Sequence, residues 1–326
     1  VDEAMGKSLF ETAVEFSLRS DIGDAEKVEV LLQIADQLIL RPQTPEPLRQ
    51  AHALYEKAQA LVPVSDILLI AKIRQQKAMV LQMIPGDIAN LENALMELEE
   101  AISVFEQSGE SEALAEANMA AGLIIQSLAG LGRPEQSLAG AIRHYHKALA
   151  FFKKGTHPRE YAVIHNNLAT AYLSIPMIDE KAKMKEALAV QSFQAALEVV
   201  TIENDPIEFA MLQNNLGNAL QYASSSHIVE NNLRALEAYE QALKVRNERS
   251  CPLAFANTIA NKANCLRNLP DDLEKPEAGN VQNVSMAVEL YKKAKDIFFE
   301  GGEEEKVLML AEALEETEKI LAAIVE

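Results

Sequence analysis

Tryptophan is absent from this 326-residue chain, and cysteine, proline and glycine are scarce, with 2, 12 and 13 residues. Few glycines and prolines disfavour a turn-rich all-β fold and favour long uninterrupted helices. Cys251 and Cys265 are too few for a disulfide framework and lack CxxC spacing, so both read as buried small hydrophobes in a reducing compartment. No apolar run is longer than Ile320 to Val325, whereas a membrane span needs about 20 residues. Val1 to Lys7 offers neither a basic nor an apolar signal segment, and a cytoplasmic location is the expectation. An excess of basic charge is also missing. The formal charge is −19, so generic attraction to nucleic acid or to an anionic membrane is disfavoured by repulsion from phosphate.

What the sequence does contain is an internal repeat. A small-large-small pattern recurs six times, as Ala51/Tyr55/Ala58, Ala94/Leu98/Ala101, Ala141/Tyr145/Ala148, Ala189/Phe193/Ala196, Ala235/Tyr239/Ala242 and Ala287/Tyr291/Ala294. Offsets of 0, 4 and 7 lie on one helical stripe, so each copy presents a bulky side chain between two small ones, and a second helix docks closely around it. Ala71, Ala115, Ala162, Ala210 and Ala256 mark a second series of helices that advances in step with the first. Two series moving together define a two-helix unit.

Proline marks the boundaries between helices, where a missing N–H is tolerated. The pattern predicts antiparallel pairs at 24–40 with 46–62, 66–84 with 89–107, 111–131 with 134–154, 159–175 with 181–201, 207–224 with 229–248, and 253–269 with 281–300. A helix at 7–20 precedes them. The chain thus divides into an N-terminal helix at 1–23, six helix pairs at 24–302 and a C-terminal capping helix at 303–326. In the last segment Val307, Leu310, Leu314, Leu321 and Ile324 share one stripe and glutamates cover much of the rest, as a terminal cap requires. Gly122 and Gly217 fall inside helices, each at a cost of about 1 kcal/mol relative to alanine. Close approach of a partner helix accounts for both.

The segment from Pro206 to Leu220, with Asn214-Asn215-Leu216-Gly217 at its centre, followed by Ala235-Leu236-Glu237-Ala238-Tyr239-Glu240-Gln241-Ala242-Leu243, resembles a tetratricopeptide repeat of a long variety. His165-Asn166-Asn167-Leu168-Ala169 repeats the first part with alanine at the glycine position, and Ala260-Asn261-Lys262-Ala263-Asn264 repeats it more loosely. Standard repeats of that family run to about 34 residues; here the spacings are 43, 47, 48, 46 and 52. The resemblance implies an all-α, right-handed superhelical solenoid whose first helices line a concave groove.

Signatures of catalysis are missing: GxSxG, HExxH, GxxxxGK[ST] and Glu-x-x-His do not occur. His144 and His146 are two apart on a helix and point to different sides, which does not suit joint metal binding. No enzyme, metal or cofactor is expected. Binding is what remains. Asparagine is a poor helix-interior residue, yet amides recur on the first helices at Asn166, Asn167, Gln213, Asn214, Asn215, Asn218, Asn261 and Asn264, beside His165 and, earlier, Arg74, Gln75 and Gln76. By the resemblance, Asn166, Asn214 and Asn218 face the groove, with His165, Gln213 and Asn264 as further partner-binding candidates. Asn167, Asn215 and Asn261 tie neighbouring helices together. A second feature is a locally basic zone from Arg133 to Glu186, with nine basic residues against five acidic, which either steers an acidic partner or is an ordinary solvated face. The long connection from Asn268 to Asn280 reads as a tolerated insertion.

The leading functional expectation is a non-catalytic scaffold or adaptor that binds a segment of another protein in its groove. The alternatives are a regulatory receptor for a signalling peptide or small ligand, and an assembly chaperone for a larger complex. Nothing in the sequence fixes the oligomeric state.

Overall fold

The computed structural model describes residues 8–86, 88–132, 138–175, 180–223, 227–275 and 279–325. Among them are fourteen α-helices and no strand. They are α1 (Leu9–Ser17), α2 (Asp24–Ile39), α3 (Pro45–Leu61), α4 (Ile67–Met83), α5 (Ile88–Ser108), α6 (Ser111–Gly130), α7 (Leu138–Ala148), α8 (Pro158–Ser174), α9 (Glu180–Leu197), α10 (Pro206–Gln221), α11 (Ile228–Leu243), α12 (Pro252–Arg267), α13 (Val281–Glu300) and α14 (Glu304–Val325). The chain separates into two compact units, Val1–Lys153 and Lys154–Glu326. Within the first, α2/α3, α4/α5 and α6/α7 are the packed pairs; within the second, α8/α9, α10/α11 and α12/α13, with α14 against α13. The chain is therefore an all-α array of antiparallel helix pairs. The residues proposed to begin the chain, Val1 to Lys7, lie outside the described part.

Local chemistry sets the helix ends. Ser8 closes a reciprocal box with Glu11 at the start of α1. Asp66 and Asp205 cap α4 and α10 by accepting the amides of Leu69 and Glu208 at 3.1 Å each. Pro45, Pro158, Pro206 and Pro252 stand in the first turn, where their missing donor has no helical partner to lose. Gly109 and Gly302 end α5 and α13 at φ of 76° and 73°, a conformation that favours glycine.

The second helices stop earlier than their sequence pattern predicts, at Ala148, Leu197 and Leu243 instead of 154, 201 and 248. Tight i to i−3 amide bonds, Phe151 to Ala148, Val199 to Ala196 and Val245 to Ala242, turn the chain there. That turn buries the next apolar residue, Phe152 in one unit and Val200 in the other. Arg246 occupies the equivalent place after α11 and donates from Nη1 to Thr258 Oγ1 at 2.9 Å. Burial of these side chains outweighs the bonds another helical turn would add.

The repeated small-large-small stripe is the core. Tyr55, Tyr145, Phe193, Tyr239 and Tyr291 are all buried, as are the alanines flanking them. Gly122 and Gly217 sit directly against two of these rings: a Cβ would lie 2.6 Å from Tyr145 Cε1 and 2.5 Å from Tyr239 Cε1. Close approach is thus the reason for both mid-helix glycines. Each buried tyrosine hydroxyl meets the first helix of its own pair: Tyr145 donates to Gln126 Oε1 at 2.9 Å, Tyr239 shares its one hydrogen between Asn218 Oδ1 at 2.7 Å and Gln221 Oε1 at 2.9 Å, Tyr55 donates to Asp36 and Tyr291 to Asn264. The ring supplies apolar area and its tip satisfies the helix beside it. Cys265 joins this core, and burial pushes its thiol up to about 12, while Cys251 is only partly buried at the N-cap of α12.

The 268–280 connection is tied down where it is described. Asp271 accepts the amides of Gln282 at 2.9 Å and Asn283 at 2.8 Å, capping the first turn of α13, and Asn283 Nδ2 donates back to the carbonyls of Leu269 and Pro270. Residues 276–278 of this connection lie outside the described residues.

Candidate functional site

In the second unit the first helices α8, α10 and α12 carry the amides. Asn214 is 3% exposed, and its Oδ1 accepts from Asn261 Nδ2 at 3.4 Å, a direct tie between α10 and α12. Asn166 is partly buried on α8, with Oδ1 shielded from solvent and without a hydrogen bond. His165 lies against Tyr161, ring centroids 4.3 Å apart and planes inclined at 56°. Asn218 and Asn264 are partly exposed, and each directs Oδ1 at a buried tyrosine hydroxyl. That bond fixes the amide rotamer and leaves Nδ2 as the group available to a ligand. Gln213 is partly buried and turns toward α11, away from Asn218.

The accessible face of these helices therefore runs through Asn215 and Asn218 on α10 and Asn257, Asn261 and Asn264 on α12, with Asn268 at its C-cap. The α12 series has offsets of 4, 3 and 4, one stripe of a helix. Asn257 and Asn268, both exposed, are missing from the residues expected from sequence, although the same periodicity would have found them.

A different polar group was also missed. In the first unit Lys77 Nζ lies 2.7 Å from Glu97 Oε1, Arg74 Nη1 lies 2.7 Å from Glu97 Oε2, and Arg74 Nη2 lies 2.6 Å from Glu100 Oε2. The Lys77 and Glu97 side chains are only 8% and 13% exposed. Lys77 also donates to Gln59 Oε1 at 3.2 Å, so the buried charges are hydrogen-bonded as well as paired. Comparing Lys77 with Ala121, Leu168 and Leu216, which stand six residues after their own register alanines, is the signal that singles it out. Lys77 and Glu97 of this quartet line a cleft of about 720 Å³ between α3 and α5, together with Arg49, His52, Asn90 and Asn93.

His144 is partly buried: burial lowers its affinity for a proton, and its Nδ1 stands 2.8 Å from Asn118 Oδ1. Asn118 uses Nδ2 to donate to the Leu114 carbonyl, so the imidazole Nδ1 carries the hydrogen in this contact. No group of three or more His, Cys, Asp or Glu side chains among the described residues is placed to hold a metal. No helix there is long and apolar enough to cross a membrane.

Of the basic zone, Arg133, Glu135 and Asp179 lie outside the described residues, as do the side chains of Glu180 and Lys181. Lys147 and Lys154 are paired with Glu106 and Glu198 at 3.0 and 2.8 Å, and Lys185 donates to the Ile175 carbonyl.

These features define the class, an all-helical tandem array of helix pairs with a polar first-helix face. No family model matches the chain, and no curated protein matches it. Two solved structures are similar to it in part. One is the complex of the TPR2AB domain of yeast Sti1 with pHSP90, at 14% identity over 90% of this chain and 99% of that one, with a TM-score of 0.31. The other is a circular tandem repeat protein with a novel repeat topology and enhanced subunit contact surfaces, at 14% identity over 97% and 75% of the two chains, with a TM-score of 0.29. Superpositions this loose carry no argument about arrangement or partners.

Proposed function

We propose that the chain is a non-catalytic interaction scaffold that holds a segment of another protein along the first-helix face of its second unit. The observation that carries this reading is the amide stripe on α10 and α12, where Asn218 and Asn264 meet tyrosine hydroxyls through Oδ1 and their Nδ2 groups make no hydrogen bond among the described residues. Donors spaced along one face suit the carbonyls of an extended main chain, which every peptide possesses. Asn215 and Asn257 extend the same surface, while Asn268 Nδ2 is taken up by the Asn264 carbonyl at 2.8 Å. Asn166 and Asn214, with His165, act behind it by setting the spacing of α8, α10 and α12. Ordering the side chains before binding removes part of the entropy that association otherwise loses.

The test is affinity capture from the source cell extract with the parent chain beside an Asn218→Ala/Asn257→Ala/Asn264→Ala variant, quantified by mass spectrometry. A protein held by the parent and lost by the folded variant supports the reading. Equal retention by both assigns the stripe to structure alone.

A further inference from the structure

The cleft between α3 and α5 has a counterpart in the second unit between α9 and α11, and the repeats act as each other's control. A cavity of about 410 Å³ is lined by Lys183, Gln191, Gln194, Leu220 and Arg234, with Glu186 also on its wall. A second, of about 260 Å³, shares Gln194, Leu220 and Arg234 with the first, so the two form one trough. Counting from the register alanines, Gln213, Leu216, Ala238 and Gln241 hold the positions that Arg74, Lys77, Glu97 and Glu100 hold in the first unit. In the first unit Lys77 and Glu97 line the cleft. In the second, uncharged side chains replace the quartet, three of them shorter, and the trough continues past Leu216 and Ala238 to Gln213 and Gln241. The same backbone arrangement holds the wider cleft in the first unit, but there the ionised quartet keeps it from the positions that Gln213 and Gln241 line in the second.

We infer that this trough between α9 and α11 is a docking site for an extended peptide segment that carries an acidic side chain at Arg234. The inference rests on the reading of the chain as a protein-binding scaffold but places a second surface on it, walled by the second helices α9 and α11 over the first helix α10. Two observations choose the occupant. Arg234 lines both cavities, is exposed, and makes no ion pair among the described residues, unlike Arg19, Arg49, Arg74 and Arg267. Over the whole trough Lys183 and Arg234 balance Glu186 and Glu237, and only the end lined by Lys183, Arg234 and Glu186 has an excess of positive charge. The remaining polar groups are amides over a floor of Leu216, Leu220 and Ala238, which suits a main chain with one small apolar side chain seated beyond the charged one. A planar guanidinium takes a carboxylate through two parallel hydrogen bonds, so Asp or Glu is the guest that Arg234 selects.

The first unit supplies the plug for a test. A Gln213→Arg/Leu216→Lys/Ala238→Glu/Gln241→Glu variant rebuilds the charged quartet in a setting that already accommodates it. A displayed library of random linear peptides is selected on the parent chain, and affinities of the enriched peptides are measured on four proteins: parent, plug variant, Arg234→Ala, and Asn218→Ala/Asn264→Ala. The expected result is peptides sharing an Asp or Glu that bind at least about tenfold more weakly to the plug variant and to Arg234→Ala, the size of one charge-assisted contact, and unchanged to the asparagine variant. Equal binding to the parent, the plug variant and Arg234→Ala overturns the inference, as does a selected set without acidic residues or the failure of any peptide to enrich. Binding lost only in the asparagine variant overturns the trough while supporting the first-helix face. Should the plug variant not fold, Arg234→Ala decides alone.

Discussion

Truncating Glu97 to alanine in the first unit removes the carboxylate that both Lys77 and Arg74 contact at 2.7 Å. Arg74 keeps Glu100 at 2.6 Å, whereas Lys77, 8% exposed, is left with the neutral oxygen of Gln59 at 3.2 Å. A buried charge stripped of its partner costs about 3–5 kcal/mol, and the surviving Gln59 contact places this case near 3. Replacing both members, as Lys77→Leu/Glu97→Ala, gives the pair that the second unit already uses as Leu216 and Ala238, both buried. Exchange of a buried ion pair for apolar groups is near neutral, so the double variant should lie within about 1 kcal/mol of the parent. Urea unfolding followed by far-UV circular dichroism resolves the two. With a slope of about 2 kcal/mol per molar, the single variant shifts the first-unit midpoint down by about 1.5 M and the double variant by under about 0.5 M. Hydrogen exchange on α4 and α5 peptides assigns the change to this unit. A double variant as unstable as the single one would refute the reasoning, since the quartet would then be required for packing and not merely self-compensating.

Other expectations follow from the same contacts. Gly217→Ala gains about 1 kcal/mol of helix propensity but drives a Cβ to 2.5 Å from the Tyr239 ring, and overpacking of this kind costs about 1–3 kcal/mol. A net loss in thermal stability is expected, relieved by adding Tyr239→Leu in imitation of Ala78 and Leu98; no relief would place the strain elsewhere. Burial lowers the pKa of His52 and His144, so both bind a proton more readily when unfolded. Their contribution is complete above the unfolded value of about 6.5 and is lost as the pH falls through the lower folded values. His144→Gln should flatten the melting temperature's decline on acidification, and an unchanged pH slope argues against it. Buried tyrosines resist ionisation: Tyr291 is pushed up to about 12, and Tyr55, Tyr145 and Tyr239 higher still, by burial first of all. Because unfolding releases these protons, stability falls above about pH 10, and an alkaline absorbance titration should show their ionisation together with loss of helix.

Much of the architecture is legible in the sequence because its signals are periodic. The alanine-aromatic-alanine stripes and the prolines located six helix pairs to within a few residues, and Gly122 and Gly217 announced close contacts that the structure contains. The ends of the second helices were not legible, because Phe152, Val200 and Arg246 are all compatible with helix and only tertiary burial turns the chain there. The site was legible by composition and less so by orientation. A step of one residue turns a helix position by about 100°, which separates Asn214, buried between α10 and α12, from Asn215 on the open face. That Asn218 and Asn264 are tyrosine partners depends on a contact about one helix pair long, 21 and 27 residues away in sequence, beyond any local pattern.

The connectors before α8, α10 and α12 have a consequence for how such a chain changes length. From Ala148 to Pro158, Ala196 to Pro206 and Ala242 to Pro252 the interval is the same, and the residues before the prolines share φ between −136° and −150°. Those junctions are interchangeable ends. Excising 206–251 would join Asp205 to Pro252 with an already tolerated backbone geometry and deliver α12 to the place of α10. Gain or loss of whole pairs is therefore a small genetic step for this chain, one that alters reach without redesigning any helix, because each pair carries its own tyrosine or phenylalanine core.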